Sequence, residues 1–489
     1  MSEALELSAT RDGQLLIGGV WTDGNGGRFD VTDPATGQVV GTAPDANDDD
    51  IDAAVTAAAR AFASWRHVPA RERGRLLHRT AALIRDRLEL ISTVMTGEQG
   101  KPLAEARGEV EGAASFFEWF GGEAERVYGQ IVPPQQAQQR IVVLREPVGV
   151  AAAITPWNFP AAMLARKIAP ALAAGCTSVV KPASATPLTA VEIVRCLTDS
   201  GAPDGVVNLI TSAQSAAVSR RLFDDARVRK LSFTGSTEVG KGLIRLSAEN
   251  VTRLSLELGG HSPYLVFEDA DLDLAADQII VSKFRNSGQT CVCANRAYVQ
   301  RAVYQPLLGK LAERTTKIVL GSGLDPETTM GPLINQAASD KVAEHVHDAV
   351  GRGAHVVAGG DRVAIDGLSG SFFAPTILAD VTPEMVINHD ETFGPALGVA
   401  PFDDEDEAVR LANSTPYGLA AYLHTRDYGR LLRVAERLDF GIVGVDVGII
   451  TAANAPFGGV KESGYGVEGG AFGIDEYLST KYLLLGQVS

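Results

Sequence analysis

Between residues 149 and 258, short apolar runs typical of β-strands alternate with amphipathic helical patterns. The strand-like runs are, in chain order, GVAAAIT, SVVK, GVVNLI, KLSFT and RLSLEL. Helical patterns such as AAMLARKIAPALAAG and STEVGKGLIRLSAEN follow them. Helices that connect successive strands are typical of parallel sheets, so the alternation predicts an α/β fold built on a doubly wound, mostly parallel sheet.

Three polar segments directly follow strand-like runs, namely PWNFP, KPAS and FTGSTE. In a doubly wound sheet, ligands bind beyond the carboxyl ends of the strands. We therefore expect these segments to lie together at one rim of the sheet and to form part of a binding site.

The chain of 489 residues is longer than one typical domain, and the sequence predicts more than one lobe. Helical patterns end the first 125 residues. After 258 a second strand and helix pattern begins with PYLVF and continues through helices near 271–285, 303–317 and 336–352 to the strands AAYLHT and GIVGVD. The segment 131–150, with the turn pair Pro133-Pro134, predicts an extended arm of the kind that often pairs with another subunit.

The charge balance disfavours nucleic acid and anionic membranes as partners. Lys and Arg total 44 against 60 Asp and Glu, a formal net charge of -16. The N-terminal MSEALELSATRDG lacks the pattern of a signal peptide, and no run of about eighteen apolar residues is present, so a cytoplasmic protein without a membrane span is expected. Four cysteines do not make a disulfide framework at this length, and the eight histidines show no H-E-x-x-H motif, so no metal site is predicted.

Two of the four cysteines, Cys291 and Cys293, lie in the segment RNSGQTCVCANR. A cysteine acts as a nucleophile when its thiolate is accessible and stabilised. Gly288 permits close backbone approach nearby. Taken alone, Cys291 is a candidate nucleophile, and the competing interpretation is a buried thiol that serves packing.

Five ordered motifs give this candidate a context: TPWNFP, KLSFTGSTEVG, LSLELGGHSP, GQTCVCANR and ETFGP. Together they resemble the aldehyde dehydrogenase superfamily over nearly the whole chain. The longer segments SKFRNSGQTCVCANR, RKIAPALAAGCTSVVKPAS and APFGGVKESG are similar to its succinate-semialdehyde dehydrogenase branch.

The resemblance implies three structural units. A Rossmann-like domain that binds NAD(P) would comprise 1–130 and 151–257, and a second α/β domain with the catalytic cysteine would comprise 258–469. The segments 131–150 and 470–489 would form a small β oligomerisation arm. A homodimer or a homotetramer is implied.

The resemblance also implies roles for the reacting groups. Cys291 would attack the aldehyde carbon, and Asn158 would stabilise the resulting oxyanion together with the main-chain N–H of Cys291. Glu257 would be the general base that activates water for hydrolysis of the thioester. Considered singly, Asn158 is also compatible with a helix cap and Glu257 with an ion pair.

Cofactor binding by NAD or NADP is implied for a larger set of residues. The pyrophosphate would lie at the start of the helix that follows Ser236, where free N–H groups favour anions. Because Ser184 stands where many NAD-using relatives carry a carboxylate, and Lys181 is cationic, NADP is predicted to be preferred. The implied positions are Thr155, Pro156, Trp157, Lys181, Pro182, Ala183, Ser184, Gly235, Ser236, Leu258, Glu391 and Phe393.

The implied substrate is a small semialdehyde that carries a carboxylate. Arg166 and Arg285 match the branch's carboxylate-binding arginines, and guanidinium groups suit carboxylates because their donors form a planar fork. Thr451 stands where relatives usually have a serine. This departure leaves glutarate semialdehyde and 2-oxoglutarate semialdehyde as alternatives to succinate semialdehyde.

Three further alternatives remain at the level of sequence. Cys293 is either a packing residue or a redox partner of Cys291. A cysteine hydrolase or acyltransferase would use the same nucleophile with a nearby histidine. A catalytically inactive relative is disfavoured because Asn158, Glu257 and Cys291 are all present.

Overall fold

A doubly wound sheet forms the centre of the first half of the protein, whose computed structural model describes residues 11–486. Five parallel strands lie side by side. Their spatial order is Arg253–Glu257, Val228–Thr234, Val150–Ile154, Thr177–Lys181 and Val207–Leu209. The connection order reverses between Val150–Ile154 and Val228–Thr234, and this is the place where such sheets bind ligands. The predicted fold class is confirmed.

Short antiparallel strands complete this sheet at both edges. They are Leu15–Ile17, Val20–Thr22 and Gly464–Tyr465. Gly464–Tyr465 thus pairs within the first sheet although it lies inside the range 258–469, and Val150 belongs to the sheet rather than to the arm. The division into domains otherwise stays a prediction. A separate small sheet contains Arg11–Asp12, Arg28–Thr32 and Val39–Pro44.

Helices cover both faces of the first sheet. Asn47 begins the first of them with a capping box, in which its side chain accepts from the backbone of Asp50 and the Asp50 side chain accepts in return. The helix Pro160–Ala174 is buried almost all round, because it packs between the sheet and Leu103–Glu123. The others are Asp48–Trp65, Ala70–Asp86, Leu88–Gln99, Pro187–Asp199, Ser215–Asp224 and Thr237–Ser247.

A seven-stranded sheet organises the second lobe. Its order is His355–Ala358, Thr376–Ala379, Ala396–Phe402, Ala294–Gln300, Ser262–Val266, Ala420–His424 and Ile442–Val445. The accompanying helices are Leu272–Phe284, Tyr304–Thr315, Gln336–Gly351, Val386–His389, Glu405–Asn413 and Tyr428–Ala435, with a hairpin of Arg362–Ile365 and Leu368–Phe373. The helices expected near 271–285, 303–317 and 336–352 exist, and each ends within two residues of the expected position. The helix expected after Ser236 is observed over Thr237–Ser247.

The predicted arm is a three-stranded antiparallel sheet. Arg140–Pro147 pairs with Gln130–Val132 on one side and with the C-terminal strand Leu478–Leu485 on the other. Apolar side chains of this sheet are exposed, Ile131 to 81% and Leu484 to 48%. Residues 487–489 of the arm and residues 1–10 of the N-terminal segment lie outside the described residues.

Within the described range, no helix is both long and apolar enough to cross a membrane.

Candidate active site

A cavity of about 960 Å³ opens between the two lobes and is lined by Cys291. Three of the predicted substrate residues, Arg166, Arg285 and Thr451, line the same cavity. Much of the remaining wall is aromatic or aliphatic, and it includes Phe116, Trp119, Phe159, Met163, Val292, Ile449 and Phe457. The fold therefore brings Arg166 and Thr451, which are distant in the sequence, together with Arg285 around Cys291.

The segment before Cys291 has an unusual backbone. Asn286 and Ser287 adopt the left-handed conformation, with φ of 52° and 56°, which is costly for residues other than glycine. Gly288 is also left-handed, and a Cβ there would lie 2.2 Å from the carbonyl oxygen of Gly394. The Asn286 side chain accepts a hydrogen bond from Gln99 and donates one to the carbonyl of Asn158, and these two bonds hold the segment. The cysteine therefore stands on a strained and well-fixed turn.

The Cys291 thiol is protonated in the free protein at neutral pH. Burial, together with the neighbouring carboxyl groups of Glu391 and Glu257 and against the opposing effect of Arg166, raises the pKa of Cys291 to about 12. A thiol with such a pKa needs a base, or an added positive charge nearby, before it can react as a thiolate.

Glu257 is the buried last residue of the strand Arg253–Glu257, and its charge affects the pKa of Cys291. Its Oε2 atom accepts no hydrogen bond from residues 11–486. Burial raises the pKa of Glu257 well above its usual value, Glu468 adds to this, and the cations Lys167 and Arg166 oppose it. A carboxylate without fixed partners and with a raised pKa suits a general base.

Asn158 lies at the corner between the strand Val150–Ile154 and the helix Pro160–Ala174. Its Nδ2 atom donates to the carbonyl of Gln289 at 3.0 Å, two residues before Cys291. The helix cap position is taken by Phe159, so the interpretation of Asn158 as a helix cap is wrong. One of the two amide hydrogens is donated to Gln289, and no acceptor among residues 11–486 takes the other.

Arg166 is a deeply buried cation at the wall of this cavity. It is 1% exposed, and none of its three guanidinium nitrogens has a hydrogen-bond partner within the described part of the chain. Its nearest carboxylate is Glu468, with 3.8 Å between Nε and Oε2. The guanidinium lies over the rings of Phe116 and Phe457, at 5.1 Å and 4.1 Å from their centroids. A buried donor fork without acceptors at a cavity wall indicates a site for an anion.

Arg285 and Thr451 add polar groups to the cavity wall, whose other polar residues besides Arg166 are Glu105, Glu109, Ser115, Glu118, Arg126, Thr290 and Asn454. The Arg285 guanidinium lies 5.2 Å from the centroid of Phe159.

The predicted cofactor residues follow the strand ends of the first sheet. Lys181 ends its strand and donates to the Ser215 hydroxyl, and burial lowers its pKa to about 8. The following residues Pro182, Ala183 and Ser184 form the turn beside it, with Ser184 half-buried. Thr155, which precedes Pro156 and Trp157, donates its backbone N–H to the carbonyl of Lys181 at 3.1 Å.

The adjacent turn is suited to an anion. Ser236 caps the helix Thr237–Ser247, and Gly235 precedes it. A Cβ at Gly235 would lie 2.3 Å from the Phe233 ring, which explains the glycine. Val239 on this helix is 49% exposed. The free N–H groups of the helix start, with an exposed apolar residue next to them, fit the pyrophosphate and the adenine of a dinucleotide.

The nicotinamide end of the expected site also has suitable groups. Glu391 accepts from the Gly260 backbone at 2.9 Å, and burial raises its pKa to about 7. Phe393 meets Trp157 edge to face, with 5.7 Å between ring centroids. Leu258 donates its backbone N–H to the Ser463 carbonyl at 2.9 Å. The buried hydroxyl of Thr155 has no hydrogen-bond partner among the described residues.

Cys293 is buried in a different environment from Cys291. Its Sγ atom lies 3.7 Å from Nζ of Lys283 and 3.4 Å from the carbonyl oxygen of Gly288. All four cysteines are free thiols.

Two buried ion pairs beside the site were not predicted. Lys101 pairs with Glu109, and Lys167 pairs with Glu468. The partners of the second pair are 301 positions apart, so no local pattern reports it. The signal that was available is the dipeptide Arg166-Lys167, two cations inside an otherwise apolar helical segment. No cluster of metal-binding side chains is found within 11–486.

The fold combines a dinucleotide-type sheet with a second lobe that carries Cys291 on the wall of the cavity between them. The model of the aldehyde dehydrogenase family matches residues 21–483, and the chain belongs to this family.

Three similar curated proteins are named for three different aldehydes. The chain is 49% identical to a 3-sulfolactaldehyde dehydrogenase of Pseudomonas putida over 476 residues, 97% of each chain. It is 49% identical to the NADP(+) succinate-semialdehyde dehydrogenase of Escherichia coli, covering 97% of this chain and 98% of the other. It is 48% identical to a glutarate-semialdehyde dehydrogenase of Pseudomonas aeruginosa, with 97% and 98% covered. A crystal structure of an NADP-dependent enzyme of E. coli superposes with a TM-score of 0.95 at 48% identity over 99% of both chains.

Proposed function

We propose that this protein oxidises succinate semialdehyde to succinate with NADP+ or NAD+ through a covalent intermediate on Cys291. The observation that carries the choice of substrate is Arg166, a buried guanidinium without hydrogen-bond acceptors in residues 11–486 at the wall of the cavity that contains the nucleophile. The relatives named for succinate and glutarate semialdehydes support an aldehyde with a distal carboxylate.

The reaction begins when the Cys291 thiol loses its proton to solvent and the resulting thiolate bonds to the aldehyde carbon. The second amide hydrogen of Asn158 and the N–H of Cys291 bind the oxyanion that forms, and loss of one such donor typically costs about 2.7 to 4 kcal/mol of barrier. A nicotinamide cofactor held beside Glu391 and Phe393 would supply the hydride acceptor for this oxidation. Glu257 then takes a proton from the water that hydrolyses the thioester, and the carboxylic acid is released from Cys291.

The substrate carboxylate binds Arg166 and Arg285, with the Thr451 hydroxyl as a third donor. Each charge-assisted hydrogen bond contributes about 1.5 to 3 kcal/mol. A cavity of about 960 Å³ also has room for longer chains, so glutarate semialdehyde and 2-oxoglutarate semialdehyde are the second candidates. A sulfonate presents the same negative oxygens to the guanidinium groups, and 3-sulfolactaldehyde belongs in the test.

NADP is the proposed preferred cofactor. Lys181 at the strand end is cationic and Ser184 is neutral, which favours the 2'-phosphate, whereas a carboxylate would repel that group. A phosphate beside Lys181 would also favour the charged form of the amine, whose pKa burial has lowered to about 8.

The proposed assembly is a homodimer or homotetramer in the cytoplasm, formed through the arm. The exposed side chains of Ile131, Tyr482, Leu484 and Leu485 support this, because such a patch on an edge is typical of an interface. Light scattering of the parent and of Leu484→Lys tests it, and an unchanged mass would contradict a role for the arm.

The deciding experiment measures kcat/KM for succinate, glutarate and 2-oxoglutarate semialdehydes, 3-sulfolactaldehyde and uncharged butanal with each cofactor. We expect the four-carbon ω-acid with NADP+ to give the highest value. Butanal as the best substrate would refute the carboxylate site, and ester or thioester hydrolysis without NADPH formation would instead identify a cysteine hydrolase or acyltransferase.

A further inference from the structure

A buried lysine lies behind the corner that carries Asn158. Lys101 follows the helix Leu88–Gln99, which ends at the left-handed Gly100. Its side chain is 0% exposed and contacts the Glu109 carboxylate. The Nζ atom also donates to the main-chain carbonyl of Asn158 at 2.7 Å and lies 4.1 Å from the centroid of the Phe159 ring.

Glu109 holds the other side of the same corner. Its Oε1 atom accepts from the backbone N–H groups of Ala161 at 2.9 Å and Ala162 at 3.2 Å, in the first turn of the helix Pro160–Ala174. This is the position of a helix cap, and the adjacent Phe159 provides no side-chain cap. The ion pair therefore fixes both the carbonyl of Asn158 and the start of the helix that follows.

The same carbonyl connects the corner to the cysteine turn. Asn286 donates from Nδ2 to it at 3.0 Å, and the Asn158 side chain donates to the carbonyl of Gln289. Lys101 and Asn286, which come from different lobes, thus both donate to the main-chain carbonyl of Asn158. Together they set where the Asn158 carboxamide lies relative to Cys291.

A buried ion pair is a poor source of stability, because apolar residues of similar volume often stabilise a protein as well or better. Its contacts with the Asn158 carbonyl and with the start of the following helix indicate a positional role instead. We propose that Lys101, paired with Glu109, is a positioning residue that fixes the Asn158 peptide and so aims its amide at the oxyanion. This inference rests on the proposed role of Asn158.

The test is a double-mutant cycle between Lys101→Met and Asn158→Ala, with kcat and KM measured for aldehyde and NADP+. In the parent, Lys101→Met should lower kcat about 10- to 100-fold, as small misplacements of catalytic groups do, and should leave both KM values within about 2-fold. In the Asn158→Ala background, it should cost less than about 2-fold further, because the amide it positions is gone.

An equal loss in both backgrounds would overturn the inference. If Asn158→Ala itself leaves kcat unchanged, the proposed oxyanion role fails instead, and the two failures are therefore distinct. Should Lys101→Met not fold, the double change Lys101→Met with Glu109→Gln leaves no unpaired charge and must show the same pattern.

A matched control comes from Lys230, another buried lysine, which pairs with Glu476 at 2.9 Å. It lies 5.6 Å from the Tyr477 ring centroid, so the kinds of contact are similar to those of Lys101. Any loss caused by Lys230→Met should be the same with and without Asn158. A loss that disappears in the Asn158→Ala background would show that removing any buried lysine has this effect, and would overturn the specific role of Lys101.

Discussion

Replacing Arg166 with methionine should separate substrate recognition from chemistry. The change keeps an unbranched side chain of similar length in the helix Pro160–Ala174, where the guanidinium packs between Phe116 and Phe457. It removes the donors that lack partners among the described residues. Glu468 retains Lys167 as its ion-pair partner, so the variant leaves that carboxylate paired.

The expected loss follows from the hydrogen bonds that a carboxylate would make. One charge-assisted hydrogen bond contributes about 1.5 to 3 kcal/mol, which corresponds to about 10- to 150-fold in kcat/KM. The free guanidinium has no protein acceptor to give up within 11–486, so little of this energy is offset in the free state. We expect Arg166→Met to lower kcat/KM for succinate semialdehyde by about that factor.

Butanal is the matched uncharged substrate for this assay, and Arg285→Ala is the matched variant. Both variants should lose activity on succinate semialdehyde and keep kcat/KM for butanal within about 3-fold, because butanal never used the guanidinium groups. Equal losses on the two aldehydes would refute the carboxylate site and would assign Arg166 a role in supporting the fold or the charge balance of Glu257.

Three further outcomes are expected. Ser184→Glu should shift the ratio of kcat/KM values toward NAD+, because a carboxylate repels the 2'-phosphate; an unchanged ratio would remove Ser184 from cofactor selection. Burial raises the pKa of Glu257, so its basic form is lost as the pH falls through that raised value. The kcat should therefore decrease toward acidic pH. A Glu257→Gln protein should lose the deacylation step at every pH. If Cys293 is a redox partner of Cys291, a thiol reductant should reverse peroxide inactivation in the parent but not in Cys293→Ala. Equal reversal in the two proteins would instead show that Cys293 serves packing beside Lys283.

Much of the fold could be predicted from the sequence because strands and helices leave local patterns in it. The five runs of the first sheet contain buried apolar residues, and the strand Val150–Ile154 is buried throughout, so periodicity and turn residues identified them. The site was then constrained by topology, since Asn158 and Gly235 follow strands, Lys181 ends one, and parallel strands end at one rim.

The remaining features depend on contacts between distant parts of the chain. Lys101 donates to the carbonyl of Asn158, 57 positions away. No sequence pattern predicts which acceptor a buried lysine will bind. The spacing of Cys291 and Cys293 suggested a pair, but spacing does not give side-chain direction. The turn between them places Cys293 against Lys283.

The central claim is a covalent acyl intermediate on Cys291, and mass spectrometry of the quenched reaction measures it directly. With succinate semialdehyde and NADP+, the peptide that contains Cys291 should gain a succinyl group. The adduct should accumulate in Glu257→Gln and be absent in Cys291→Ser, which should be inactive. An unmodified Cys291 peptide throughout turnover, or a Cys291→Ser protein that oxidises the aldehyde at near-parental rate, would contradict the account.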